Sequence, residues 1–144
     1  MAVNSLRGLP GVVVAYDLSG DFAELGIDST DIRTTLEVEL SKAQISVLAL
    51  TPQLPRDELL RRGMLSFRLN ALRTGVGTAV TSMLELSQVA LLAKGNTPVS
   101  GTTWEARPTL AWFGPSADTR NIVLGSVRQL LAEFINAYLT ANPK

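Results

Sequence analysis

The chain contains neither cysteine nor histidine. Those two residues supply thiolate nucleophiles, most general bases that titrate near neutral pH, and most zinc ligands. Their absence excludes disulfides, a Ser-His-Asp triad and the usual zinc sites together. The Gly-x-Ser-x-Gly nucleophile elbow is missing as well, so only Ser-Lys or paired-carboxylate chemistry is left open. The lack of disulfides does not identify a compartment, because an oxidising location permits them without requiring them. Net charge is lacking too: 13 basic and 13 acidic side chains cancel. A general nucleic-acid binder draws most of its affinity from a field of Lys and Arg over phosphates, so no nucleic-acid partner is expected. Long apolar runs are absent; the densest, Val89 to Ala93, is five residues, far short of the roughly 20 that a membrane helix needs. No membrane span is expected. Met1 to Arg7 has neither the apolar core nor the basic start of a signal peptide, and a start of Met1-Ala2 running almost at once into a strand suits a mature domain without its leader.

What the chain does have is the balance of a folded globule, with 46% hydrophobic and 18% charged residues. A chain of 144 residues typically buries about two thirds of its unfolded surface, enough for one core. A single domain spanning 1–144 is expected.

Along the sequence, Val12 to Tyr16 is β-branched and apolar and reads as a first strand, buried on both faces. Asp17 to Gly26 is acidic and punctuated by glycine, ending at Asp28, which caps a helix, with Asp31 returning a carboxylate to the same turn. Ile32, Leu36, Leu40 and Ala43 then form an apolar stripe while Arg33, Glu37 and Lys42 stay in water, so an amphipathic helix runs to about Ala43. Ile45 to Leu50 reads as a second strand, parallel to the first through a right-handed crossover. Thr51 to Gly63, with Pro52, Pro55 and the cluster Arg56 to Arg62, reads as a connection with a short helical turn. From Met64 the period changes to two: Leu65, Phe67, Leu69 and Ala71 face one way, Ser66, Arg68 and Asn70 the other. Gly75-Val76-Gly77 makes a hairpin turn into a strand from Val80 to Lys94, Gly95 to Gly101 is the next turn, and Thr102 to Phe113 is a last strand interrupted at Pro108, as at an edge or a bulge. After Gly114-Pro115, apolar residues from Val123 to Tyr138 recur at helical spacing and a closing helix ends near Ala141. The order β-α-β-β-β-β-α gives an α+β two-layer sandwich: a mainly antiparallel sheet of about five strands, with two amphipathic helices on one face and water on the other.

The pattern offers few sites. Gly75-x-Gly77 joins two strands, lacks a third glycine and precedes no helix, so it reads as a hairpin and not a phosphate loop. The close acidic pairs Asp28 and Asp31, Asp57 and Glu58, and Glu37 and Glu39 read as caps and solvated faces. The acidic stretch Asp17, Asp21, Glu24 and Asp28 lacks the ligand spacing of a calcium loop. Neither a metal, a cofactor nor a catalytic residue is expected. The outward sheet face is the better candidate, with Arg68, Asn70, Glu85, Glu105 and Arg107 as an interaction face. Cross-strand ion pairs that only stabilise the sheet are the simpler account of the same residues. Charge is also segregated along the chain, with seven acids against one Arg between Asp17 and Glu39 and five Arg against two acids between Arg56 and Arg73, which would favour head-to-tail self-association.

Leu6-Arg7-Gly8-Leu9 before the first strand, Leu40 to Val47, Thr103-Trp104, and Phe134-Ile135-Asn136-Ala137-Tyr138-Leu139 closing with Asn142-Pro143 resemble a group of small, uncharacterised exported bacterial proteins. In those proteins the turn after the first helix usually carries Gly where this chain has Gln44. The element order also resembles small α/β domains of bacterial envelope assemblies, such as the amino-terminal domain of TolB-like proteins, a likeness of fold. The resemblance implies a periplasmic or secreted protein, with a cytoplasmic one as the alternative, and brings no catalytic residues with it. The expectation is a non-enzymatic, exported or envelope-associated binding or assembly module. It acts through contacts with a protein partner or with itself, at the edge near Pro108 or at the outer face. The alternative is a small-ligand carrier with an apolar pocket between sheet and helices, lined by Phe67, Trp104 and Phe134.

Overall fold

The computed structural model describes residues 6–48, 62–95, 97–114 and 117–143. The first strand, β1 (Val12–Gly20), continues past Tyr16, through the acidic residues read as a loop. It does so because β2 (Gly63–Arg73) lies parallel to it in unbroken register from Val12 beside Gly63 to Gly20 beside Ala71. The strand stops where the backbones converge: Gly20 has φ +66°, and a Cβ there would stand 2.3 Å from the Ala71 carbonyl oxygen, a site only glycine fits. A 3-10 turn (Phe22–Leu25) follows.

Helix α1 (Ser29–Lys42) begins as its sequence dictates, with the Asp28 carboxylate accepting from the Thr30 amide at 2.9 Å. Ile32, Leu36 and Leu40 are buried. Asp31 makes a different contact from the one expected, an ion pair at 3.1 Å with Arg120 of the second helix. The strand expected at 45–50 is reduced, within the described residues, to one parallel bridge between Val47 and Val12. The Ser46 carbonyl accepts from the Val12 amide at 2.9 Å, and the Leu48 amide donates to the Val12 carbonyl at 2.8 Å. The parallel sense and the crossover therefore stand, but β1 takes β2 as its main partner. Residues 49–61, with the cluster at Arg56 to Arg61, lie outside the described residues.

β2 turns through Thr74–Gly77 into β3 (Thr78–Leu91), its antiparallel partner, as the glycines imply. The expected last strand is two: β4 (Pro98–Glu105) and β5 (Thr109–Phe113). Both pair with the same edge of β3, β4 with Glu85 to Leu91 and β5 with Thr78 to Ser82. Residues 106–108 oppose only Met83 and Leu84, and Thr103 is a further extra residue. Pro108 thus sits in a bulge, where a missing amide costs no ladder bond. The turn before β4 is shorter than expected, closed by the Leu92 amide on the Thr97 carbonyl at 2.9 Å. The proline expected within that turn, Pro98, opens the strand, a position that needs no donor.

Helix α2 (Thr119–Ala141) closes the fold, capped by Asp118 and burying Val123, Leu124, Val127, Leu130, Leu131 and Phe134. The result is an α+β two-layer sandwich: a mixed five-stranded sheet in the order β1-β2-β3 followed by β4 and β5. The inward residues Leu65, Phe67, Leu69, Val80, Leu84 and Leu86 join the buried stripes of both helices in one core. Phe134 meets Trp104 edge to face, centroids 5.2 Å apart. The described start of the chain is tied to the end of α2. The Gly8 amide donates to Asn142 Oδ1 at 2.7 Å, Asn142 Nδ2 donates to the Leu6 carbonyl at 2.9 Å, and the Tyr138 hydroxyl donates to the Leu9 carbonyl at 2.9 Å.

Candidate functional site

With Leu65, Phe67, Leu69 and Ala71 turned inward, the alternate residues of each strand make the outer face. Its rows follow from the register. Asp17, Arg68 and Met83 form one; Ser66, Glu85 and Glu105 the next; Asn70, Thr81 and Leu110 another; Leu72, Ala79 and Trp112 the last.

Four of the five residues named from sequence lie on this face. The Arg68 guanidinium meets the Glu85 carboxylate at 2.9 Å, diagonally across β2 and β3. Glu85 is held further by the Thr102 hydroxyl at 3.4 Å. Asn70 lies one row along. Glu105 directly opposes Glu85, two like charges side by side, an arrangement that costs stability. Arg107 is not part of the group: it falls in the bulge, and its amide donates to the Glu133 carboxylate of α2 at 3.2 Å. The bulge at Thr103 and the three residues at 106–108 shift the register, and no periodicity read from sequence anticipates both. Asp17 was missed because β1 was ended too early; continuing the alternation beyond Tyr16 finds it beside Arg68. The band therefore carries Asp17, Glu85 and Glu105 around one guanidinium, and among the described residues neither Asp17 nor Glu105 has an ion-pair partner.

One end of the face is apolar, which sequence reading also missed. Leu72, Val76, Leu110 and Trp112 are 60%, 78%, 72% and 58% exposed. The Trp112 ring lies over Gly77, where a Cβ would stand 3.0 Å from it. The signal was the alternation of Leu110 and Trp112 with Ala111 and Phe113, hidden by the break at Pro108. At the opposite end, a pocket of about 110 Å³ opens among Val13, Met64, Ser87, Val89 and Ser100.

The remaining candidates resolve into structural roles. Phe67, Trp104 and Phe134 are buried in the core, packed within it. Glu37 pairs with Arg33 at 3.0 Å and Glu39 with Lys42 at 3.5 Å along α1. Asp57 and Glu58 lie outside the described residues. Asp21 accepts from the Arg73 amide at 2.8 Å, and Glu24 faces the Arg73 guanidinium at 3.6 Å. Among the described residues, Arg68 and Arg73 of the basic stretch lie beside the acidic stretch, because β1 and β2 pair. Among the described residues no three acidic side chains converge as metal ligands would, and no helix is long and apolar enough to cross a membrane.

No family model matches the chain, and no curated protein matches it. Among solved structures it is similar to a PelC dodecamer from Paraburkholderia phytofirmans, with a TM-score of 0.50 and 14% identity over 88% of each chain. It is also similar to a putative neuraminyllactose-binding hemagglutinin homolog from Helicobacter pylori, with a TM-score of 0.44 and 10% identity over 90% of this chain and 86% of that one. At these identities the likeness is one of fold.

Proposed function

We propose that the chain is a non-enzymatic binding or assembly module, exported or envelope-associated, that presents the outer face of its sheet to a protein partner. The observation that carries this reading is the composition of that face. Among the described residues two carboxylates without ion-pair partners, Asp17 and Glu105, flank the Arg68–Glu85 pair, next to a cluster of exposed large apolar side chains. A face that served only to solubilise the sheet would pair its charges and would not display Leu72, Val76, Leu110 and Trp112 together. An apolar centre beside polar groups is the anatomy of a protein interface, and the excess of carboxylate selects a partner bearing Lys or Arg. The fold is shared with a protein whose structure is a dodecamer, and self-association is accordingly part of the proposal. The small-ligand alternative is less well supported, because Phe67, Trp104 and Phe134, the aromatic residues meant to line a pocket between sheet and helices, are packed in the core.

The test is the double variant Asp17→Asn, Glu105→Gln. Both side chains are exposed and neither has an ion-pair partner among the described residues, so the proposal expects capture of a basic partner to fall while the melting temperature stays close to that of the parent. Capture unchanged in the double variant would overturn the platform.

A further inference from the structure

The sheet has two lateral edges, and they are protected unequally. At β1 the edge is bridged at Val12 by Val47. At the other side β4 begins at Pro98 and carries an extra residue at Thr103, and it is followed by the bulge that holds Pro108. Prolines and bulges are the devices by which sheet edges avoid pairing with other chains. β5 has none: Thr109-Leu110-Ala111-Trp112-Phe113 contains no charge, no proline and no bulge. One of its edges pairs with β3, and among the described residues the other pairs with no strand.

We infer that β5 pairs antiparallel with β5 of a second copy of this chain, about a two-fold axis at Ala111. The register is fixed by the sequence of the strand. Centred on Ala111, all five residues of β5 find a partner, Thr109 opposite Phe113 and Leu110 opposite Trp112, each pair occurring twice. Centred on Leu110, Trp112 would face Pro108; centred on Trp112, Leu110 would face Gly114. Only the first register covers the two most exposed apolar residues of the strand with each other, and aromatic–aliphatic pairs across strands stabilise a sheet. A two-fold contact requires a patch complementary to itself, and this strand is one. The pairing takes Leu110 and Trp112 from the apolar end of the proposed platform and leaves the carboxylates at Asp17 and Glu105 free, so the charge-dependent capture of a partner is tested separately from it.

The lack of cysteine makes the test clean, because a single introduced thiol has one possible partner. Sedimentation equilibrium of the full chain should show a dimer. Leu110→Lys removes both Leu–Trp pairs and sets a charge in each, and should weaken the dimer by about tenfold or more. Because Leu110 is 72% exposed, the far-UV spectrum of that variant should match the parent, and so should its melting curve at dilutions where both are monomeric. Ala111→Cys should cross-link to a dimer on mild oxidation, while Thr81→Cys, on the interior strand β3, should not. If Ala111→Cys disturbs folding, Leu110→Cys combined with Trp112→Cys in a separately tagged copy, both at exposed positions, reports the same register. A chain that stays monomeric at its highest soluble concentration overturns the inference. So does a dimer that survives Leu110→Lys and fails to cross-link through β5; capture of a different protein by this edge in place of a second copy would do so as well. The capture result for Asp17→Asn, Glu105→Gln is independent of all three outcomes.

Discussion

Gln44 has φ 61°, the one described non-glycine residue in the left-handed region. It closes α1: the Gln44 amide bonds to the Ser41 carbonyl and the Ile45 amide to the Leu40 carbonyl, both at 3.0 Å, the paired bonds of a glycine-type helix end. The buried side chains of Ile45 and Leu40 supply the hydrophobic contact that accompanies this motif. The strain of a Cβ in the left-handed region is carried by the protein. Ser82 is the second single-residue case. It is fully buried, and its hydroxyl finds no partner among the described residues; Thr109, directly across the ladder, is in the same condition. An unmatched buried hydroxyl costs roughly 1–3 kcal/mol, so Ser82→Ala should leave the melting temperature unchanged or raise it. A drop of several degrees would show that the oxygen is bonded.

Among the elements, the end of α2 and the described start of the chain are far apart in sequence and joined in the fold. Leu6 to Leu9 and Tyr138 to Asn142 are one structural unit, tied by three hydrogen bonds across about 130 positions. Asn142 satisfies both a donor and an acceptor of the opposing backbone. Asn142→Ala should cost about 1–3 kcal/mol, and Tyr138→Phe about 1 kcal/mol; their sum should exceed the effect of the double variant, because the two contacts hold the same segment. Chemical denaturation of the three proteins tests this. The elements themselves were largely legible. Both helices, the hairpin at Gly75 to Gly77 and the inward set of β2 followed from periodicity and turn chemistry, which act over a few residues. What failed depended on neighbours. Ile45 to Leu50 is as apolar as a full strand, yet in the described part only Val47 is bridged, on the edge of β1 that β2 leaves free. Asp17 and Ser19 extend β1 against their local preference because β2 offers a complete ladder, a tertiary effect that overrides propensity.

For the molecule as a whole, the two proposed contacts differ in kind and should separate by salt. The platform attracts a basic partner through exposed carboxylates, which are screened over a Debye length of about 10 Å at 0.1 M; capture should fall as salt rises. The pairing of β5 is apolar and should be unaffected, or strengthened by sulfate. Chromatography with light scattering across a salt series, with and without partner, distinguishes the two. Chain-wide charge segregation would have suggested the opposite for self-association. Among the described residues part of it is neutralised within one molecule, where Arg73 meets Glu24 and Arg120 meets Asp31. Sequence order could not show this, because it does not say which strands are neighbours. The face of Arg68, Asn70, Glu85 and Glu105 could be named in advance because alternation along a strand is local. The apolar end at Leu72 and Trp112 needed three strands in register.

β3 is the strand on which that register rests. Its 14 residues are held on one side by β2 and on the other by β4 and β5 in succession. In deuterated solvent, the amides between Val80 and Leu86 should be the last to lose their protons, at a rate set by complete unfolding, while those of β1 beyond Tyr16 go early through local opening.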